Sequence, residues 1–205
     1  MRTLRDLSLA LALSALALAL AACVSSGNRP TQTEVRTETG FVITESVNVA
    51  ADVRADFESA VQRLEQQDTA GGIALLLKVT DAAPQLTAAH VDLAMAYEQA
   101  GDLEHAEASL KRALELSPRH PVVYNELGLV YRKAGRFADA RKSYAKALEL
   151  HPEFHFARRN LAILCDVYLN DPGCALENYE LYAKAVPDDE AASAWIADLH
   201  KRIGK

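Results

Sequence analysis

PVVYNELGLVYRKAGRFADARKSYAKALELHPEF, residues 121–154, is one unit of a pattern that recurs along the chain. TAAHVDLAMAYEQAGDLEHAEASLKRALELSPRH, residues 87–120, precedes it and puts the same residue types at the same places. Pro84, Pro118, Pro152 and Pro187 follow one another at spacings of 34, 34 and 35 residues. Small residues return at Ala60, Ala94, Gly128 and Ala162, and again at Gly72, Ala106, Ala140 and Ala175. Larger ones follow at Leu76, Leu110, Tyr144 and Tyr179, and three positions on stand Val79, Ala113, Ala147 and Tyr182. Antiparallel helices approach closely only where side chains are small, and bulky residues fill the space between as ridges and grooves. Ala100-Gly101-Asp102 and Ala134-Gly135-Arg136 supply the residue that lets a helix turn. The prolines close each unit because they cannot continue a helical ladder. A single unit cannot bury its own apolar face, so neighbours must stack into one core.

The period and its residues resemble the tetratricopeptide repeat (TPR), a helix-turn-helix of 34 residues. Tyr124, Leu127, Gly128, Tyr131, Gly135, Ala140, Tyr144, Ala147 and Pro152 match nearly the whole pattern. Leu93, Ala94, Tyr97, Gly101, Ala106, Leu110, Ala113 and Pro118 match it one repeat earlier. The resemblance implies an all-α chain, a right-handed TPR α-solenoid of about four helix-turn-helix repeats plus a C-terminal cap helix. The repeats are expected at 53–86, 87–120, 121–154 and 155–187. The first is degenerate, since Arg63 stands where an aromatic is usual. Residues 188–205 read as the cap helix: Asp188, Asp189 and Glu190 suit a helix N-terminus, and Ala192, Trp195, Ile196, Leu199 and Ile203 form one stripe. Trp195 is expected to pack in that core rather than to dock a partner.

Composition agrees. Half of the 205 residues are apolar while aromatics are 6%. The apolar set is dominated by the helix formers Ala and Leu. A formal net charge of −6 with no long basic run disfavours nucleic acid, which needs a clustered Lys/Arg footprint.

The N-terminus reads as an address. Arg2 and Arg5 precede a Leu/Ala run from Leu7 to Leu20, and Leu20-Ala21-Ala22-Cys23 closes it. A basic start, a short apolar core and a small-residue exit describe a secretory signal peptide over residues 1–22. The last four residues resemble the lipobox of bacterial lipoprotein precursors. That resemblance implies cleavage before Cys23, acylation of Cys23, and anchoring by several acyl chains. Val24 rather than Asp follows, which implies a lipid-anchored place on the periplasmic face of the outer membrane. Removal of Arg2, Arg5 and Asp6 takes away +1, so the mature charge is −6 less +1, or −7.

Residues 23–52 are expected to hold the lipidated cysteine, a polar tether to Gly40 and an extended arm. In the arm, Phe41, Ile43, Val47 and Val49 alternate with Thr44, Ser46 and Asn48. The segment could be a short strand or an extended arm laid on the repeat body; a lone strand has no sheet partner, so an ordered arm or a partner-binding segment is expected there.

No constellation for catalysis is found. The chain has no Gly-rich phosphate loop, nucleophile elbow or His-Glu-x-x-His, so no enzyme activity and no cofactor are expected. His151 and His155 have the spacing of a helical metal pair, but Pro152 between them breaks the helix and no further ligand completes a site. No metal is expected. Cys165 and Cys174 would form a disulfide in an oxidising periplasm, stapling the turn that carries the one-residue insertion; two reduced core thiols are the alternative.

The resemblance also implies a partner-binding groove along the first helices. Its residues would be Val91, Met95 and Glu98, then Asn125, Leu129 and Arg132, then Arg159, Ile163 and Asp166. Arg132, Lys133, Arg158 and Arg159 could form a local basic patch. The Lys/Asn clamp of chaperone-binding TPR domains is not reproduced, since Asn125 lacks the matching lysines. A non-enzymatic scaffold binding protein partners is therefore expected, with no small-molecule substrate. By resemblance of layout it would serve assembly of an envelope machine, either pilus/secretin or peptidoglycan-related. An accessory component of a TonB-type energy-transducing system is the alternative.

Overall fold

The computed structural model describes residues 32–36 and 42–204. Cys23, the apolar run before it and Phe41 lie outside the described residues. Nine α-helices follow a short hairpin among the described residues. They pair as α1 (Ala51–Glu65) with α2 (Thr69–Ala82), α3 (Thr87–Gln99) with α4 (Leu103–Leu116), and α5 (Pro121–Lys133) with α6 (Phe137–Leu150). The fourth pair is α7 (His155–Ile163), prolonged by a π-helical turn (Leu164–Tyr168), with α8 (Pro172–Ala185). The last helix, α9 (Glu190–Arg202), packs on α8. Each helix otherwise packs on its neighbours in sequence, as a solenoid requires.

The small positions are where the helices meet. Ala60, Ala94, Ala106, Ala140, Ala162 and Ala175 are fully buried. Gly128 on α5 meets Tyr144 on α6, and Gly72 on α2 meets Leu64 on α1. Buried clusters run on from Phe57, Leu76 and Leu86, through Leu110, Val123 and Val130, to Tyr144, Leu164 and Leu199. Trp195 joins the last of these, 5.1 Å from the ring of Tyr179. Aspartates cap the second helices: Asp68 accepts from Gly71 N, Asp102 from His105 N and Asp171 from Cys174 N. Arg136 holds that place in the third repeat, where it pairs with Glu107 at 2.7 Å and Asp139 at 2.9 Å.

The insertion in the fourth repeat is not in its turn. Ala100-Gly101-Asp102, Ala134-Gly135-Arg136 and Leu169-Asn170-Asp171 are turns of equal length, each with a left-handed central residue. The extra residue is absorbed inside the first helix, as the π turn, where Leu169 N reaches Leu164 O at 3.1 Å. A turn of fixed geometry tolerates an insertion less well than a helix that can widen by one residue.

The stretch read as a tether also differs. β1 (Gln32–Arg36) pairs antiparallel with β2 (Val42–Ser46), in the register Val35 opposite Ile43. The alternating segment therefore has a sheet partner, drawn from residues whose own pattern is polar. The first helix begins at Ala51, inside the segment assigned to the arm.

Candidate partner-binding groove

The first helices of successive repeats touch one another, α3 against α5 and α5 against α7. Asn160 Nδ2 on α7 donates to Asn125 Oδ1 on α5 at 3.0 Å, and Asn125 Nδ2 donates to Glu126 Oε1 at 2.9 Å. That contact sets the register in which the positions expected to line a groove come together. Val91 and Asn125 lie beneath the surface, 1% and 2% exposed. Met95, Glu98, Leu129, Arg132, Arg159, Ile163 and Asp166 are half-buried. The face open to a partner is therefore an apolar strip of Met95, Leu129 and Ile163 with charged residues beside it.

The charges are not equivalent. Glu98 is paired with Lys133, and Asp166 with Arg202 of the cap helix at 2.6 Å. Among the described residues neither Arg132 nor Arg159 has a carboxylate within 4.0 Å. Each has a buried Nε without a hydrogen-bond partner. Aromatic rings hold them instead: Arg132 lies 5.7 Å from the centre of Tyr168, and Arg159 5.8 Å from Phe156 and 5.9 Å from Tyr182. Their charge is felt at the phenols nearby. Burial pushes Tyr179 up to about 12, helped by Asp166 and opposed by Arg159 and Arg132. Burial also raises Tyr144, again opposed by Arg132.

Three groups were not singled out from the sequence. Val167 and Tyr168, on the π turn, are 64% and 43% exposed. The ring of Tyr168 also lies tilted against that of Phe137, with centroids 4.9 Å apart. The 35-residue spacing was the available signal that this repeat departs from the others. Asp92 on α3 is the third; burial of its carboxyl raises it to about 7.

Cys165, in the π turn, and Cys174, in the first turn of α8, are joined with S–S 2.04 Å and Cα atoms 5.9 Å apart. Among the described residues the one group of metal-ligand type is Cys165, Asp171 and Cys174. Its two sulfurs bond each other, and Asp171 caps α8 and pairs with Arg141 at 3.4 Å. His151 lies beyond the end of α6 and His155 starts α7, so the two are not on one helix. Arg158 donates to Pro152 O at 3.0 Å, at the repeat junction. Among the described residues no helix is long and apolar enough to cross a membrane.

The family model described as tetratricopeptide repeat matches residues 84–153. Pseudomonas aeruginosa pilF is similar in structure, with TM-score 0.67 and 21% identity, covering 73% of this chain and 68% of that one. TTC0263, a thermophilic TPR protein of Thermus thermophilus, gives TM-score 0.64 and 23% identity over 73% of this chain and 81% of that one. The first TPR of Spaghetti (RPAP3), solved bound to the HSP90 peptide SRMEEVD, gives 0.55 and 21% over 59% and 97%. At such identities these likenesses show the fold alone. A comparison with curated protein sequences gives no match.

Proposed function

We propose that this tetratricopeptide-repeat protein is a non-enzymatic scaffold that binds a protein partner in the groove of its first helices. The observation that carries the reading is the strip of Met95, Leu129 and Ile163, held in register by Asn125 and Asn160 and left half-open with charges along it. Repeat stacking brings these equivalent positions from three successive helices into one line, and Met95 and Ile163 pack partly on the core while leaving that line half-open. The RPAP3 domain, bound to a peptide, supports a peptide or helix as the occupant. The basic start, apolar run and Leu20-Ala21-Ala22-Cys23 support a lipid anchor at Cys23, on the periplasmic face of the outer membrane. In that place the scaffold would serve assembly of an envelope machine, of the pilus/secretin or peptidoglycan-related kind.

A photo-crosslinking amino acid at Leu129 tests the groove in living cells, with the exposed Leu77 of α2 as control. A partner adduct from position 129 and none from position 77 is the expected result. The same adduct from both positions would sink the reading. Fractionation of Cys23→Ser tests the anchor, and unchanged recovery with outer membranes would count against it.

A further inference from the structure

We propose that the occupant of the groove is an acidic–apolar peptide segment whose carboxylates seat on Arg132 and Arg159 while its apolar side chains lie on Leu129, Ile163 and Val167. This rests on the groove reading above and names the chemistry it selects.

The inference starts from an imbalance. The chain is acidic, with a formal net charge of −6. Several cations along the repeats have found carboxylates: Lys133 with Glu98, Arg136 with Glu107 and Asp139, Arg141 with Asp171, and Arg202 with Asp166. Arg132 and Arg159 are the exceptions on the groove face among the described residues. Of the carboxylates around them, Asp166 is committed to Arg202, and Asp189, which Arg159 helps to hold low, accepts from the Tyr182 hydroxyl and from Ala191 N at the start of α9. Half-burying a guanidinium with an unmet Nε costs free energy, because donors lose water without gaining an acceptor. The planar fork of a guanidinium matches a carboxylate bidentately, and such charge-assisted bonds are the strong ones.

The rings set the geometry. Tyr168 holds Arg132, while Phe156 and Tyr182 hold Arg159, so neither guanidinium is a free surface side chain. Guanidiniums fixed before the partner arrives lose less entropy on binding. The floor between them decides against a bare polyanion. Leu129 and Ile163 are half-buried, and Val167, four positions after Ile163, is 64% exposed. A ligand that covers them must carry apolar side chains, which a peptide supplies and a phosphate backbone does not.

The test uses the full chain and two synthetic probes, fluorescein-labelled peptides of alternating leucine with glutamate or with glutamine. Anisotropy at low salt should show the glutamate peptide bound about tenfold more tightly, with the difference shrinking as salt screens it. Arg132→Gln with Arg159→Gln should abolish the preference and leave the glutamine peptide's affinity in place. Arg132→Lys with Arg159→Lys, which keeps both charges, should retain part of it. Equal affinity of the unaltered chain for both peptides overturns the proposal without any variant having to fold, as does a preference that survives the double Gln change. A photo-crosslinker at Leu129 separates the two levels. If it captures both peptides equally, at equal affinity, the groove stands and the acidic selection falls. If it captures neither, the groove reading falls and takes this proposal with it.

Discussion

Tyr144 rests against the bare α-carbon of Gly128: a β-carbon built there would stand 2.4 Å from ring atom Cε1 and 2.6 Å from Cδ1. α5 and α6 close to this distance only because the residue is glycine.

Gly128→Ala sets two effects against each other. Helix propensity gains about 0.5–1 kcal/mol, and overpacking a filled core loses about 1–3 kcal/mol. Overpacking should win here, because Tyr144 is fully buried and its ring has nowhere to go. The urea midpoint of Gly128→Ala should fall. In a Tyr144→Leu background the same change should raise it, and absence of that reversal would show that the ring is not what excludes the methyl.

Gln67 and Asn170 hold the left-handed turn position, with φ of 65° and 50°, that Gly101 and Gly135 hold in the middle repeats. A residue with a β-carbon loses roughly 1–2 kcal/mol in that conformation, less for Asn. Gln67→Gly should therefore raise the melting temperature, by about 1 kcal/mol of stability after the extra chain entropy of glycine. Gly101→Ala should lower it. A melting curve unmoved by Gln67→Gly would refute the assignment of strain to that turn.

The repeats were legible because their signal is local and steric. Ala94, Ala106 and Ala140 are small for a reason that survives in the sequence alone, and all three are fully buried. The extra residue of the fourth repeat was legible only as a count. Nothing in Leu164–Tyr168 announces a π turn, since turn and helix can each take up one residue, and Asn170 keeps the turn in its usual form. β1 was missed because Gln32–Arg36 has one apolar residue, Val35, and its partner is a separate segment. Arg132 and Arg159 were named as groove residues, but whether they are paired depends on where distant carboxylates go. Asp166 is taken by Arg202, 36 positions away.

A half-buried carboxyl and a buried imidazole pull stability in opposite directions with pH. Asp92 is raised to about 7, so its folded state prefers the proton, and its penalty grows as pH rises from about 4 to 7. His120 is lowered by burial to about 4, so its contribution is present above the unfolded value of 6.5 and is lost as pH falls towards 4. The two slopes oppose each other in the native chain. Asp92→Asn removes one of them, so the melting temperature of the variant minus that of the native chain should climb through pH 4 to 7. A flat difference would show that Asp92 titrates normally.

Cutting the Cys165–Cys174 staple with Cys165→Ala and Cys174→Ala should destabilise the chain by about 2–3 kcal/mol in the chain-entropy model, given a loop of 9 residues. Reductant should lower the unfolding midpoint of the native chain and leave that of the double variant unchanged. A native midpoint insensitive to reductant, with the bond shown to be broken, would contradict it.

The π turn has one further consequence, for the uniqueness of the bound state. Identical repeats offer a ligand equivalent berths, and an extended occupant could slip along them by one unit at little change in free energy. With Leu169-Asn170-Asp171 set against Ala134-Gly135-Arg136, positions 167 and 168 hold Val and Tyr where the previous repeat holds Arg132 and Lys133 and the one before it Glu98 and Gln99. The widened turn presents that Val–Tyr pair at one end of the row only. The row thus has a marked terminus, which lifts the degeneracy of its berths and gives any chain lying in it a single polarity.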